Sequence, residues 1–219
     1  MDLIAAATAA VERLPLPDAV TLAGVEFLVG RTGRTLAREP ENNEAFARTM
    51  KDFPIAIHTD DANAQHYEVP AAFFDLCLGP RRKYSCCYYA GPETSIDDAE
   101  EAALAQTADH AQLADGQEIL ELGCGWGSLS LYMAARYPNA QITAVSNSHG
   151  QRQHIEKLAA AQGSTNLKVI TCDMNDFQAD ARFDRVVSVE MFEHMSNWRA
   201  LFTRLRGWLK PDGLLFAHF

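Results

Sequence analysis

The chain has 219 residues, a hydrophobic share of 47% and a formal charge of −10: one large domain, or a domain with a smaller segment, around a sizeable core. The acidic balance argues against nucleic-acid binding, which needs a basic face, and against electrostatic docking on an anionic membrane. Five cysteines (Cys77, Cys86, Cys87, Cys124, Cys172) without a C-x-x-C pair argue against a zinc or disulfide framework and fit a reducing compartment. No signal-peptide pattern and no apolar run of membrane-spanning length is present, so the expected location is cytoplasmic, without stable membrane insertion.

In chain order, residues 1–65 read as a helical segment beside the main domain. An Ala-rich helix over 2–13 stops at Pro15 and Pro17. Asp18 starts a second helix carrying Val20, Leu22, Val25, Phe27 and Leu28, and Asn42 or Asn43 a third through Phe46 and Met50. Residues 66–115 read as a segment that covers a ligand. Pro70 opens an apolar helix through Phe73, Phe74, Leu76 and Leu78 that stops at Gly79-Pro80. Arg81-Arg82-Lys83 is expected as a solvated turn, with a small contact patch as the alternative. Ser95 caps a helix from Ile96 to about Leu113, with Asp97 and Asp98 in its first turn.

Residues 116–219 alternate strand and helix. Strands are expected at 118–122, 141–146, 167–171, 185–189 and 213–218, with helical patterns between the first three and another over 198–209. That alternation predicts an α/β fold, a Rossmann-like parallel sheet covered on both faces, with ligands at the carboxyl ends of its strands.

The first strand ends in Glu121-Leu122-Gly123-Cys124-Gly125-Trp126-Gly127 and feeds the apolar helical run Leu129, Leu131, Tyr132, Met133. Glycines at every second residue bring a backbone without Cβ obstruction to a helix N-terminus, where a nucleoside-type ligand docks; a bare turn with Trp126 packed over it is the alternative. The spacing differs from the dinucleotide fingerprint, since Ser128 holds its last small position, and no Lys-Ser/Thr follows to make a phosphate loop. Glu121 favours a positively charged or hydroxyl-bearing group. Glu-x-Gly-x-Gly-x-Gly after a strand resembles the binding motif of S-adenosylmethionine (SAM) methyltransferases, whose cofactor carries a sulfonium and an ammonium and no phosphate.

Each later strand end offers a further group. After the second strand the acidic residue that many such proteins use for ribose hydroxyls is missing, leaving Ser146, Asn147 or Gln151 to take its place; Ser148 reads equally as a helix cap. After the third, Asp173 is a candidate acceptor for an adenine amino group with Met174 beside the ring, or else a turn former. After the fourth come Glu190, Glu193 and His194, three titratable groups beside the expected position of the donor methyl. Their spacing fits neither H-E-x-x-H nor H-x-x-E-H, so acid–base or electrostatic work is expected and no metal.

Tyr84-Ser85-Cys86, the glycine turn, Phe192-Glu193-His194 and Pro211-Asp212-Gly213 leading to His218 occur together and in order. Over about residues 64–219 the chain thereby resembles the cyclopropane-fatty-acid synthase family of SAM methyltransferases. Glu190-Met191-Phe192-Glu193-His194-Met195 and Ser128-Leu129-Ser130-Leu131-Tyr132 resemble its amine-methylating branch. The resemblance assigns Tyr84, Ser85, Gly123, Gly125, Ser146, Asn147 and Gln151 to SAM, joining Glu121, Gly127, Asp173 and Met174. In the lipid-modifying branch it implies a bicarbonate ion on Cys86, Glu193 and His218; in the amine branch it implies that Glu190, Glu193 and His194 hold and deprotonate the amine. The sheet of this fold usually has two more strands, so the chain is expected to be truncated after its fifth, with Leu214–Phe219 an exposed apolar edge prone to self-association. The expected activity is methylation of a small amine. The alternatives are methylation or cyclopropanation of an unsaturated lipid, or a SAM-binding fragment without turnover.

Overall fold

The structure, a computed structural model, describes residues 14–38, 42–57 and 71–219; the expected helix over 2–13 and the stretch 66–70 lie outside them. The chain clusters into two compact units, Met1–Arg48 and Thr49–Phe219. In the first, α1 (Asp18–Arg38) has no buried residue, and its Val20, Leu22, Val25 and Phe27 are exposed. The amide of Ala45 donates to Asn42 Oδ1 at 3.0 Å, so Asn42 is the asparagine that caps α2 (Asn43–Thr49).

The second unit runs from a 3₁₀ turn (Met50–Asp52) through α3 (Ala71–Cys77) and α4 (Ile96–His110) into β1 (Glu118–Leu122), α5 (Ser128–Arg136), β2 (Gln141–Ser146), α6 (His149–Ala161) and β3 (Leu167–Thr171). It continues with β4 (Phe183–Val189), a second 3₁₀ turn (Phe192–His194), α7 (Trp198–Trp208) and β5 (Leu209–His218). Among the described residues no helix is long and apolar enough to cross a membrane. Ser95 Oγ accepts the Asp98 amide at the start of α4. The helix closes at His110, short of Leu113, because Gln112 takes φ 52° while the amides of Leu113 and Gln112 return to the carbonyls of Ala108 and Asp109. That is a left-handed C-terminal closure.

The five strands form one sheet in the order β3-β2-β1-β4-β5, every pair parallel. Strand β1 is therefore central, and Leu122 lies level with Val145 on one side and Ser188 on the other. One face packs Leu120, Leu122, Val145 and Val186 against Leu201, Leu205 and Trp208 of α7. The other packs Ile119, Ile142 and Val187 against α4 and α5, and Ala144 and Val169 against Ile155 and Ala159 of α6. Burial on both faces explains why the strands read as continuous apolar runs. Strands β4 and β5 are longer than their apolar runs because Phe183 pairs with Leu209 before a register shift. Asp184 secures that end, its Oδ2 accepting Lys210 Nζ and the Glu118 amide. Pro211 is tolerated there because it lies in that register shift, between the paired Leu209 and Leu214.

Asn166, just before β3, donates its side-chain amide to the carbonyls of Tyr137 and Ala140 at 2.9 and 3.1 Å, closing the turn that sets β2 in place. Asn166→Ala removes both bonds, one of them buried, and should lower the urea unfolding midpoint by the equivalent of about 1–3 kcal/mol, with an unchanged denaturant slope.

Candidate functional site

The glycine turn is fastened before it is shaped. The amides of Gly123 and Cys124 both donate to the Val145 carbonyl at 3.0 Å, and the Gly127 amide returns to the Cys124 carbonyl at 2.8 Å. Between these ties Gly123, Gly125 and Gly127 adopt φ of 78°, 50° and 84°, a region where a Cβ is strained. Two of the glycines also answer a steric demand. A Cβ on Gly123 would fall 2.7 Å from Met191 Cγ, and one on Gly127 would fall 2.5 Å from Ile155 Cγ1. A Cβ on Gly125 would meet nothing within 4 Å, and Gly125 lines a cleft of about 190 Å³ at the carboxyl ends of β1, β2 and β4.

Residues lining this cleft carry buried polar atoms without partners. Among the described residues, Trp126 Nε1, Ser128 Oγ and Gln151 Nε2 have no hydrogen-bond partner, and all three residues line the cleft. Gln151 is held by its other end: its Oε1 accepts Ser146 Oγ at 2.6 Å, and its backbone amide reaches Ser148 Oγ, the α6 cap. An amide so fixed, with its NH₂ left over, is a donor presented to an acceptor-rich ligand. Asn147 lines the cleft beside them.

Glu121 contributes a carboxyl to the floor. It is buried, accepts the Ser130 hydroxyl, and lines the cleft. Burial raises its pKa from 4.5 to about 7, and the Ser130 hydrogen bond offsets part of that rise. Near neutrality the group is therefore poised between its two forms, ready to ionise beside a cation.

The opposite wall comes from the segment before α4. Tyr84 and Ser85 line the cleft, and Ser85 Oγ accepts Lys83 Nζ at 2.5 Å. The turn expected to be solvated is largely not. Lys83 is only 5% exposed; Arg82 pairs with Asp75 and lies against the His154 ring. The cause is Glu100, a fully buried residue of α4, whose carboxylate takes the amides of Arg81 at 2.7 Å and Lys83 at 3.0 Å. The sequence reading missed Glu100, although it shares a helix face with Ala103, Leu104 and Thr107, the spacing that places a residue inward.

Beyond β4, Glu190 and His194 line the cleft while Glu193 is exposed and outside its lining. Glu190 takes φ 54° and donates its amide to the His218 carbonyl at 2.8 Å, a strained backbone held by the end of β5. Its side chain groups with Cys86 and His218, their ligand-type atoms all within 4.8 Å of one another. Cys86 and His218, expected beside Glu193, thus meet Glu190 instead, and they form a Cys/Glu/His set where no metal was expected. Met174 is buried and lines the cleft, whereas Asp173 does not line it. Its Oδ1 accepts the Asn175 amide at 2.7 Å and its carbonyl the amides of Asp176 and Phe177, the turn-forming alternative.

A parallel sheet with a left-handed glycine turn opening onto a cleft at its strand ends defines a Rossmann-like domain. The model of the mycolic acid cyclopropane synthetase family matches residues 56–219. The chain is 38% identical over 169 residues to (S)-coclaurine N-methyltransferase of Thalictrum flavum subsp. glaucum, covering 77% of this chain and 47% of that protein. It is 33% identical over 156 residues to the cyclopropane-fatty-acyl-phospholipid synthase of Escherichia coli (strain K12), covering 70% and 39%. A crystal structure of coclaurine N-methyltransferase bound to N-methylheliamine and SAH superposes with a TM-score of 0.80 at 33% identity, over 89% of this chain and 59% of that one. A mycolic acid cyclopropane synthase complexed with SAH and CTAB gives 0.67 at 26%, over 74% and 57%. The fold is that of the SAM-dependent methyltransferases, and the chain belongs to the mycolic acid cyclopropane synthetase family. It spans about half the length, or less, of these curated relatives.

A pH prediction follows from Glu121. With its pKa raised from 4.5 to about 7, the folded state binds the proton more tightly than the unfolded one, so this group lowers stability as pH climbs through that window. Its contribution between pH 4.5 and 7 is about 3 kcal/mol. Ligand-free Glu121→Gln, compared with the unsubstituted protein by urea unfolding at pH 5 and pH 8, should be relatively more stable at pH 8; equal differences at both pH values would contradict it.

Proposed function

We propose that the chain is the SAM-binding part of a methyltransferase whose acceptor is a small amine. The observation that carries the SAM reading is the cleft itself: an open backbone at Gly125 beside the unpartnered donors of Gln151, Trp126 and Ser128. These groups fit a nucleoside that brings acceptors. Gly125 would let it approach the backbone; Gly127, expected at the ligand, does not line the cleft and serves the turn by packing against Ile155. Ser146, Asn147 and Gln151 would lie on the ribose side and Met174 against the base. Tyr84 and Ser85 would cover it from the 66–115 segment, leaving 116–219 as the binding domain proper. Glu121 suits the cationic end. The SAH-bound relatives support the same ligand class.

Bound SAM supplies an electrophilic methyl group on a sulfonium. The chain's own residues then have two tasks: orienting the acceptor for in-line approach, and taking its proton. Glu190 and His194, both on the cleft, are the groups proposed for holding and deprotonating the amine; Tyr84 offers an aromatic face to its cationic form. The several N-methyltransferases among the relatives support an amine. One observation favours the lipid alternative, with its bicarbonate: Cys86 and His218 do converge, although on Glu190. An unsaturated phospholipid belongs beside a benzylisoquinoline-type amine in any turnover assay. Self-association along the β5 edge remains a separate proposal, tested by sedimentation.

Two substitutions divide binding from chemistry. Gly125→Val fills the open side of the turn and strains its backbone, and should weaken SAM binding by at least about 100-fold in calorimetry. Glu190→Gln should leave SAM affinity unchanged and lower kcat/KM for the amine by about 100-fold, while Glu193→Gln costs less than about threefold. Unchanged turnover in Glu190→Gln would remove that residue from the mechanism.

A further inference from the structure

One wall of the cleft is built by a short segment remote in sequence from the sheet. Ala56 and Ile57 line the cleft, and the strap they belong to is tied down at successive residues. The Phe53 carbonyl accepts Asn197 Nδ2 at 2.8 Å. The Ile55 carbonyl accepts the Ser196 and Asn197 amides, and the Ile55 side chain is sunk in the core. Ala56 forms an antiparallel bridge with Met195. The remaining tie is of another kind. Asn175 reads both polar groups of Ala56 at once: its Oδ1 accepts the Ala56 amide at 3.0 Å and its Nδ2 donates to the Ala56 carbonyl at 2.9 Å.

We infer that Asn175 is a positioning residue of the cleft, its side-chain amide clasping Ala56 so that the strap closes over bound ligand. The chemistry selects this residue type. Only a carboxamide presents a donor and an acceptor in one plane at the spacing of a backbone pair. Alanine loses both bonds, and aspartate keeps the acceptor but sets an anion against the Ala56 carbonyl. Asn175 is aimed by Asp173, whose Oδ1 accepts its backbone amide, and it follows Met174, which lines the cleft. The turn after β3 thus lines the cleft through Met174 and fixes the facing strap through Asn175. The tie bridges 119 residues of sequence, so no local pattern announces it. A strap merely anchored for stability would leave ligand affinity of the folded protein untouched; a strap held as a wall would not.

The inference rests on reading the cleft as a SAM site, and the test separates the two. SAM affinity is measured by calorimetry for the unsubstituted protein, Asn175→Ala, Ile57→Ala and the double variant, with amide hydrogen exchange on the ligand-free proteins. Asn175→Ala should weaken SAM binding about tenfold and expose the Ala56 and Ser196 amides to exchange while β1 stays protected. The double variant should bind no more weakly than the poorer single one, because both substitutions undo the same wall. Should Asn175→Ala not fold, Asn175→Asp carries the same comparison with a smaller loss, and asparagine alone restores affinity. Unchanged affinity in a folded Asn175 variant, or losses that multiply in the double variant, overturns the inference. Absence of SAM binding by the unsubstituted protein overturns the functional reading and this inference with it, and is seen before any variant is made.

Discussion

Two amide–carbonyl hydrogen bonds, from Gly123 and Cys124 to Val145, hold the chain leaving β1 against the end of β2, and the remainder of the site is arranged around that tie. Once the chain is held there it must turn within five residues into α5, and the turn is available only through left-handed backbone. Met191 and Ile155 crowd it from two sides, which forbids side chains at Gly123 and Gly127 and leaves Gly125 alone facing free space. A packing constraint of the core therefore creates the bare backbone surface that a nucleoside needs. The same crowding places Met191, and with it the Glu190–His194 turn, over the end of β1.

The polar groups around the cleft are not interchangeable surface residues. Several are fixed by buried partners. Ser146 holds Gln151, Ser130 holds Glu121, and Glu100 holds the backbone leading to Tyr84 and Ser85. What remains after these bonds is a set of donors on cleft-lining residues and, at Glu121, a buried carboxyl whose pKa burial raises to about 7. The groups proposed for the acceptor are fewer, Glu190 and His194 above all, and both line the cleft.

The sheet was readable because its strands are short apolar runs bounded by turn formers, and β1, β2 and β3 fall where those runs fall. Strand β5 was under-read because its first residue, Leu209, pairs with Phe183 across a register shift, apart from the apolar run that pairs from Leu214 onward. The glycine turn announced itself through spacing, which is local. Glu100 and Asn175 did not, because the backbone groups they hold lie 17 to 119 residues away. Arg81-Arg82-Lys83 looked like a solvated turn for the same reason: the buried carboxylate that draws it inward sits on the next helix. The convergence of Cys86 and His218 on Glu190, and not on Glu193, depends on the left-handed backbone at Glu190, a conformation that residue identity alone does not reveal.

The central claim is that this cleft binds SAM with Glu121 at its floor. Calorimetric titration of the protein with SAM at pH 7, repeated in buffers of different ionisation enthalpy, tests it directly. The account predicts saturable binding at one site per chain with release of a fraction of a proton, since a cation beside Glu121 draws a half-protonated carboxyl toward its ionised form. No saturable binding, or binding that Gly125→Val leaves intact, would contradict it.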